Sequence, residues 1–460
     1  MKRSVFLVIA LAVFMSLPAA ETETRTEKKE IVAEHFNRHI KIYGFVRNFF
    51  SFDSRDCVAG MGDMFNYLPK DNLWNQTEAA AAANGITRVD LNANPSFRFL
   101  TLTTRVGIDI LNYKCRNTEF GGKIEADFYA GLTGLTGTAQ LRLRQAYMTL
   151  AWDSLRMNEN SMARVQLLMG QAWHPLAADL ADVISLNSGA PLGPFSRTPQ
   201  VKMDARLGEL FTITGAAIWQ MQYVSTGPDG PSANYIKYSA TPEGYVGLSF
   251  HHKSGVLLRA GADVLSISPR HIGFVTDAGG NIVKVKVSDR ITTLSPFLYV
   301  QYKYGDFSLK AKTVFAEAGE HMNLNGGYGV KNINTDGSWE YTPSRNLSSW
   351  ISLMYGWRVK GILFAGYVRN FGTKESLIDG DGDGRPDYYW FSKNSFSNLN
   401  RLLRVSPTII WTIGRFQLGA EYEITSAQYG DNLQATDGLA HDNLHWVTNH
   451  KVQVMTKYSF

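Results

Sequence analysis

The sequence of 460 residues contains little charge and no long apolar run beyond its first 20 residues. Only 19% of the residues are charged, whereas a soluble enzyme of this length normally has about 25%. An α-helical membrane protein would need apolar runs of about 20 residues, and 25 Phe, 21 Tyr and 10 Trp exclude a disordered chain. Proline (15) and cysteine (2) are scarce, but glycine (41) is abundant. These proportions are typical of a large β-structure.

The N-terminal segment predicts export from the cytoplasm. Two basic residues precede an apolar stretch from Ser4 to Leu17, and small residues stand before Glu21, so residues 1–20 are predicted to be a secretory signal peptide. Residues 21–38 are polar and charged, and we interpret them as a flexible periplasmic leader, with a short helix or a self-associating tail as alternatives. Loss of the two basic residues at the start lowers the net charge from +5 to +3. This charge is too small to predict a nucleic-acid partner.

Polar and apolar residues alternate from residue 39 onward, and a two-residue period places them on opposite faces of a β-strand. Between Lys123 and Tyr129, for example, apolar residues occupy the even positions and polar or charged residues the odd positions. We predict 16 strands of this kind, at residues 39–53, 97–112, 119–131, 139–153, 162–173, 198–207, 210–224, 243–252, 255–266, 290–304, 306–317, 347–356, 358–371, 399–413, 415–428 and 446–460.

The connections between these strands differ in length in a regular way. Those after odd-numbered strands are mostly long, as at residues 54–96, 174–197 and 429–445, whereas those after even-numbered strands are short. Short periplasmic turns and long external loops are typical of a transmembrane barrel. Strands can span hydrocarbon only in a closed barrel, because every backbone polar group must be paired there. We therefore predict an all-β fold over residues 39–460, a 16-stranded antiparallel transmembrane β-barrel in the outer membrane of a Gram-negative bacterium, in contact with membrane lipid and lipopolysaccharide.

Three segments of the sequence resemble a known group of porins. Ile42–Arg47 is similar to the first strand of DcaP-like porins. Leu141–Leu150 and Met169–Pro175 resemble strands of DcaP-like and phosphate-selective porins. The resemblance implies a 16-stranded barrel that is usually a homotrimer and whose third external loop folds inward as a constriction. It gives no information about the solute.

The third external loop, residues 174–197, is too apolar between Pro175 and Leu186 for a loop surrounded by water. Its apolar residues at helical spacing are Leu176, Leu180, Val183 and Ile184. This spacing predicts a short helix packed on the inner wall of the barrel.

Charged residues indicate where the pore narrows. Acidic residues of the third loop would face basic residues on the inward sides of strands two to four, which creates a field across the channel. The predicted constriction residues are Arg105, Lys123, Arg142, Arg144, Asp179, Asp182 and Arg197. Other inward acids and bases largely offset one another, so we expect only a mild anion preference.

We expect a porin through which small hydrophilic solutes diffuse passively, with no enzyme activity and no required cofactor. The alternatives are a channel selective for small anions such as dicarboxylates, a barrel-embedded hydrolase, and a closed structural or adhesive barrel. No CxxC, P-loop, GxSxG or HExxH motif occurs in the sequence. A hydrolase site at Asn449 and His450 is disfavoured because adjacent residues of a strand face opposite sides.

An acidic segment in the seventh external loop, residues 372–398, resembles a calcium-binding loop. Residues 379–387 read DGDGDGRPD, with acids at positions 1, 3, 5 and 9 and a glycine at position 6, as in an EF-hand loop. The candidate Ca²⁺-binding residues are Asp379, Asp381, Asp383, Arg385 and Asp387. Position 12 is Trp390 instead of glutamate, so the segment is closer to a repeat-type calcium loop. The alternative is a flexible acidic turn.

Two further features are placed by the predicted topology. Cys57 lies in the first external loop and Cys115 in a periplasmic turn, so the barrel separates them beyond disulfide reach. Residues 78–85 predict a short helix that ends at Asn84-Gly85, on the first external loop. Such a helix is either a plain surface helix or a latch onto a neighbouring subunit.

Overall fold

The computed structural model of the protein describes residues 39–61, 64–129, 139–158, 161–391 and 398–460. The predicted signal peptide (1–20) and leader (21–38) lie outside the described residues. No helix in the described part of the chain is both long enough and apolar enough to cross a membrane.

Sixteen antiparallel strands form one closed sheet in which each strand pairs with its chain neighbours. The strands are β1 (Ile40–Asp53), β2 (Arg105–Cys115), β3 (Thr118–Tyr129), β4 (Gln140–Asn158), β5 (Ser161–Trp173), β6 (Arg197–Leu207), β7 (Phe211–Ile218), β8 (Glu243–His251), β9 (Val256–Ile267), β10 (Ile291–Tyr304), β11 (Phe307–Glu317), β12 (Trp339–Tyr355), β13 (Val359–Thr373), β14 (Leu399–Ile413), β15 (Phe416–Leu433) and β16 (Ala440–Ser459).

The barrel closes where β1 pairs with β16, from Asp53 opposite Lys451 to Phe45 opposite Ser459. On its other side β1 pairs with β2 over its first half and with Ser96–Leu100 over its second half. The predicted 16-stranded antiparallel barrel is confirmed.

All 16 predicted strands are present, and the largest errors in their bounds have structural reasons. β2 begins at Arg105 instead of residue 97, because Ser96–Leu100 forms a separate strand on β1 and a turn at residues 101–104 follows it. β7 was predicted to reach residue 224 but ends at Ile218, because the chain then turns inward until the Tyr223 hydroxyl lies 2.6 Å from that of Tyr67. β12 begins at Trp339 instead of residue 347, because its extension pairs with Gly327–Ile333 beyond the barrel wall.

The two faces of each strand differ as the alternation predicts. On β14, Leu403, Val405 and Ile409 point outward and are exposed, whereas Leu402 and Arg404 point into the lumen and are buried. An outward apolar face on a closed sheet is the arrangement that hydrocarbon requires.

One end of the barrel carries short turns and the other carries long loops. The short turns are at residues 116–117, 208–210, 252–255, 305–306, 356–358 and 414–415. The loops at the opposite end include L1 (residues 54–95), L3 (174–196), L6 (318–338) and L7 (374–398). The connection predicted at residues 429–445 is shorter than expected, because β15 and β16 continue pairing as far as Leu433 opposite Ala440.

The long loops contain short elements of their own. Helix α1 (Glu78–Asn84) begins at Thr77, whose side chain accepts a hydrogen bond from the Ala80 N–H, and ends at Gly85 with φ 65°. The predicted helix is therefore confirmed. The other elements are helix α2 (Asn234–Ser239), the hairpin strands Cys57–Gly60 with Phe65–Pro69 and Ile272–Thr276 with Ile282–Lys286, and the strand Tyr389–Phe391.

L1, L3 and L6 fold into the lumen and form an apolar core there. Their buried side chains include Phe65, Tyr67, Leu176, Leu192 and Met322, which pack against inward residues of the wall such as Trp350 and Phe364. The wide barrel is therefore partly filled by its own loops. Cys57 is buried in L1, Cys115 is exposed beside the short turn after β2, and both are free.

An arginine in place of Val405 tests the outward face of the barrel. Val405 lies near the middle of β14 and is 44% exposed. A basic residue at the midplane of the lipid face should lower the free energy of unfolding by about 2–4 kcal/mol. Denaturant unfolding from lipid vesicles would measure this loss, with Val405→Leu as the control. Equal stability of the two variants would contradict a lipid-facing position.

Candidate functional site

L3 lies along the inner wall of the barrel from β8 to β15. The Asp179 carboxylate accepts from Arg259 of β9 at 2.6 Å, and Asp182 accepts from Lys310 of β11 at 2.7 Å. Further along, the Ile184 N–H donates to Glu421 Oε2 of β15 at 2.9 Å. These contacts hold the loop against one side of the lumen and leave space on the side of β1 to β6.

The helix predicted in L3 is wrong. Only Pro175–Ala177 forms a single 3₁₀ turn, and the chain is irregular beyond it. Backbone donors of this segment bond to the wall instead of to the preceding turn, since the Asp182 N–H donates to Ser352 Oγ at 3.2 Å. The apolar side chains do pack inward, as their composition predicted.

The acidic residues of L3 also lie elsewhere than expected. Asp179 and Asp182 were predicted to face the bases of strands two to four, but they pair with Arg259 and Lys310 on the opposite wall. Lys312 adds a second positive charge 3.6 Å from Asp179. The acids therefore attach the loop to the wall, and the side of L3 that faces the open lumen is mainly apolar.

A cavity of about 380 Å³ separates L3 from the opposite wall, and we call it the constriction cavity. Its basic lining residues are Arg47 of β1, Arg105 of β2, Arg142 and Arg144 of β4, and Lys457 of β16. Asp127 is the one acid among its lining residues in the described part of the chain. L3 contributes Leu180, Val183, Ile184 and Leu186 together with Ser185 and Ser188, and L1 contributes Met61, Met64 and Phe65. The cavity thus has a basic side and an apolar side.

Two buried carboxylates on β3 hold three of the arginines in place. Arg142 donates to both oxygens of Asp127, at 2.9 and 2.8 Å, and Arg144 donates to Glu125 at 2.7 Å. Arg105 lies 3.4 Å from the second Glu125 oxygen. Bidentate pairs of this kind fix the guanidinium planes.

Arg47 and Lys457 have a different environment. Arg47 Nε donates to Thr103 Oγ1 at 3.0 Å, and Lys457 Nζ lies 4.7 Å from the centre of the Phe45 ring. Neither forms an ion pair with any residue that the structure describes. Five basic groups against the two carboxylates of Glu125 and Asp127 leave the cavity with an excess of positive charge.

The structure brings together three of the predicted constriction residues, Arg105, Arg142 and Arg144. Lys123 lies nearer the short turns, where its Nζ is 2.7 Å from Asp109. Arg197 is buried, with Nε donating to Gln222 at 3.0 Å and its guanidinium 5.1 Å from the Trp173 ring.

Arg47 was not among the predicted constriction residues. Arg47 is four residues from Tyr43, whose hydroxyl donates to Glu125 inside the barrel, so both side chains lie on the inward face of β1. The alternation of β1 therefore contained the information needed to place Arg47 in the lumen. Lys457, which also lines the constriction cavity, was not among the predicted constriction residues either.

The acidic loop of L7 brings three carboxylates together. Oxygen atoms of Asp379, Asp381 and Asp383 lie within 4.8 Å of one another. Asp387 accepts from the Gly380 N–H at 2.9 Å, and Arg385 donates to Asn432 on β15 at 3.1 Å. The spacing of the carboxylates is compatible with the predicted Ca²⁺ site.

Neither a protein-family model nor a curated protein matches the sequence. Among solved structures, the channel DcaP of Acinetobacter baumannii is similar with a TM-score of 0.61 and 18% identity, over 92% of this chain and 97% of that one. An anion-selective porin from Comamonas acidovorans is similar with a TM-score of 0.50 and 10% identity, over 92% of this chain and 99% of that one. The chain therefore has the fold of the outer-membrane porins, as the resemblance to DcaP-like porins implied.

Calorimetry tests the predicted calcium loop. We expect Ca²⁺ to bind the purified chain with a dissociation constant of about 10⁻⁴–10⁻³ M, the range of exposed extracellular sites. Asp381→Asn combined with Asp383→Asn should abolish the heat. Asp336→Asn, at another exposed acidic turn, should leave it unchanged. If millimolar Ca²⁺ gives no heat with the unaltered chain, the loop is an acidic turn only.

Proposed function

We propose that this protein is an outer-membrane porin that lets small hydrophilic solutes diffuse passively and prefers anions. The observation that carries the proposal is the constriction cavity, which has five basic lining residues and one acidic residue. In a narrow channel with low-dielectric walls, such a charge excess raises the local concentration of anions. No covalent chemistry is needed for this role.

The two sides of the constriction cavity favour small organic anions as solutes. Leu180, Val183 and Ile184 present carbon atoms on one side, and the arginines present N–H donors on the other. Arg142 and Arg144 already bind carboxylates of the wall, so Arg47 and Lys457 are the groups best able to attract a passing anion. A channel selective for dicarboxylates would use the same arrangement and remains the second candidate.

The basic lining continues toward the short turns. A second cavity of about 420 Å³ below L3 is lined by Arg164, Lys202, Arg206 and Arg259, together with Asp204. Three of these four bases form ion pairs, since Arg164 lies 3.2 Å from Asp153, Lys202 2.6 Å from Asp204 and Arg259 2.6 Å from Asp179. The second cavity therefore adds little to the excess of positive charge in the constriction cavity.

The hydrolase alternative has no support at the residues considered for it. Asn449 is buried in the lumen, where it donates to Asp53 at 2.8 Å. His450 faces outward and lies 2.8 Å from the Tyr422 hydroxyl. The two side chains point to opposite sides of β16, as strand geometry requires.

The anion preference is tested by reversal potentials in planar bilayers under a KCl gradient. Arg47→Gln combined with Lys457→Gln should lower the ratio of anion to cation permeability by roughly an order of magnitude at low salt, and by less at 1 M salt where charges are screened. This pair is chosen because Arg142 and Arg144 together neutralise Asp127. Removing both of them would leave a carboxylate buried without a cationic partner, which costs about 3–5 kcal/mol.

Arg206→Gln is the matched control, because Arg206 is a lumen arginine at the exposed turn end of β6. It should change the permeability ratio little. A cation-selective unaltered channel, or an unchanged ratio in the double variant, would contradict the proposal. A barrel without any conductance would favour the closed structural or adhesive alternative.

We also propose that the chain forms a homotrimer, and the support lies in L1. Beside α1, this loop exposes Leu73, Trp74, Ile86 and Leu91 to solvent, and an exposed apolar patch of this kind is typical of an interaction site. A neighbouring subunit in the same membrane would cover them.

Native mass spectrometry in detergent tests the trimer. Leu73→Ser combined with Ile86→Ser should increase the fraction of monomer, because the variant removes apolar area from the contact. Ile282→Ser, an exposed apolar residue of a different loop hairpin, should leave the trimer intact. A monomeric unaltered chain would contradict the proposal.

A further inference from the structure

Two histidines and two carboxylates meet at the junction of L3, L6 and the inner wall, away from the constriction cavity. His174 is the first residue of L3, His321 belongs to L6, Glu243 begins β8 and Asp263 lies on β9. All four side chains are 1% exposed. We call these four residues the His–carboxylate cluster.

Only one contact in the cluster has the length of a good hydrogen bond. His174 Nε2 lies 2.6 Å from Glu243 Oε1. The other distances are longer: His174 Nε2 to Asp263 Oδ1 is 3.6 Å, His321 Nε2 to Glu243 Oε1 is 3.4 Å, and His321 Nε2 to Asp263 Oδ2 is 3.5 Å. The four side chains converge on one point without pairing fully with one another.

A hydrogen bond at Nδ1 fixes the tautomer of the neutral His321 ring. His321 Nδ1 lies 3.2 Å from the Ala318 carbonyl oxygen, which can only accept, so Nδ1 carries a proton. In the neutral ring, the lone pair of Nε2 then points between Glu243 and Asp263. A histidine whose second N–H donates to a backbone carbonyl is the usual arrangement of a metal ligand.

His174 has the opposite arrangement. Its Nδ1 accepts from the Leu176 N–H at 3.1 Å, so in the neutral ring the proton lies on Nε2 and is donated to Glu243. His174 therefore orients Glu243 and is a positioning residue rather than a ligand.

The cluster leaves buried polar atoms without hydrogen-bond partners, and among the described residues only its two histidines can balance the charge of its carboxylates. Glu243 Oε2, Asp263 Oδ1 and His321 Nε2 are buried and have no hydrogen-bond partner among the described residues. No lysine or arginine of the described residues forms an ion pair with either carboxylate. Burying carboxylates away from lysine and arginine is unfavourable, and a divalent cation at their centre would offset this cost.

We propose that the cluster binds a divalent transition-metal ion of the Zn²⁺ class, with His321 Nε2, Glu243 and Asp263 as its ligands. Nitrogen and carboxylate ligands lie about 2.0–2.2 Å from Zn²⁺, so a near-tetrahedral angle separates two ligand atoms by about 3.4 Å. The distances from His321 Nε2 to the two carboxylates are 3.4 and 3.5 Å. Two carboxylates and a neutral imidazole also match the charge of the ion.

The bound ion has a structural role in this arrangement. It joins L6 directly to β8 and β9 through His321, and it joins the start of L3 through the His174–Glu243 hydrogen bond. L3 forms the apolar side of the constriction cavity, so the ion helps to fix the position of that side. Metal binding is nevertheless measurable whether or not the chain conducts anions.

The test uses the full-length chain purified in detergent, stripped with a chelator and titrated with Zn²⁺ alone. We expect one Zn²⁺ per chain. Asp263→Asn and His321→Gln should each weaken binding at least about 100-fold, and His174→Gln by about 10–100-fold as an outer-shell change. Co²⁺ in the unaltered chain should give the intense visible absorption of a near-tetrahedral site, a readout that needs no variant.

His445→Gln is the matched control, because His445 and Asp71 form a similar His–carboxylate pair of 2.6 Å outside the cluster. Its zinc affinity should equal that of the unaltered chain. Failure of the chain to bind Zn²⁺ or Co²⁺, or equal affinity in Asp263→Asn and the unaltered chain, would overturn the proposal. The cluster would then be a protonated imidazole network only.

Discussion

The closed hydrogen-bond network of the sheet is the constraint on which the other features depend. Backbone groups cannot remain unpaired in hydrocarbon, so β1 must pair with β16 and the sheet can have no free edge. Closure also divides every strand into an outward and an inward side. Once the outward side must be apolar, all polar chemistry of the wall is confined to the lumen. The loops, which face water or the lumen, are the remaining place for irregular structure.

Charge inside the lumen performs two different tasks on its two sides. On β9, β11 and β14, inward basic residues bind acids or carbonyl groups of L3 and thereby hold the loop, as Arg259 does with Asp179 and Arg404 with Ala190 O at 3.1 Å. On β1, β2, β4 and β16, inward basic residues outnumber their carboxylate partners and face open space. The loop is thus fixed on one side, and an excess of positive charge remains on the other.

Alternation in the sequence was sufficient to predict the barrel because each strand carries its own two-residue period. It failed where strands extend beyond the membrane, as at Trp339, and where an apolar residue such as Tyr223 leaves the sheet to contact a loop.

Loop geometry could not be predicted in the same way. The helical spacing in L3 does not reveal that Ser352 and Glu421 bind its backbone donors, because these partners lie far away in the sequence. The His–carboxylate cluster was missed for the same reason, since its histidines belong to two different loops.

The same long-range partners explain why acids and bases had to be reassigned in the constriction. A sequence shows that Asp179 and Arg142 both face the lumen, but it does not show which inward base is nearest to the acid. L3 enters the lumen from the end of β5, and its first residue, His174, is held there by the hydrogen bond to Glu243. From that point Asp179 reaches Arg259 on β9, beside the strand that supplies Glu243. The entry point of L3 therefore determines that its acids are neutralised on the far wall, and the arginines of β2 and β4 are left with the carboxylates of β3. The selectivity of such a channel depends less on the number of charges in the lumen than on which of them form ion pairs with the loop.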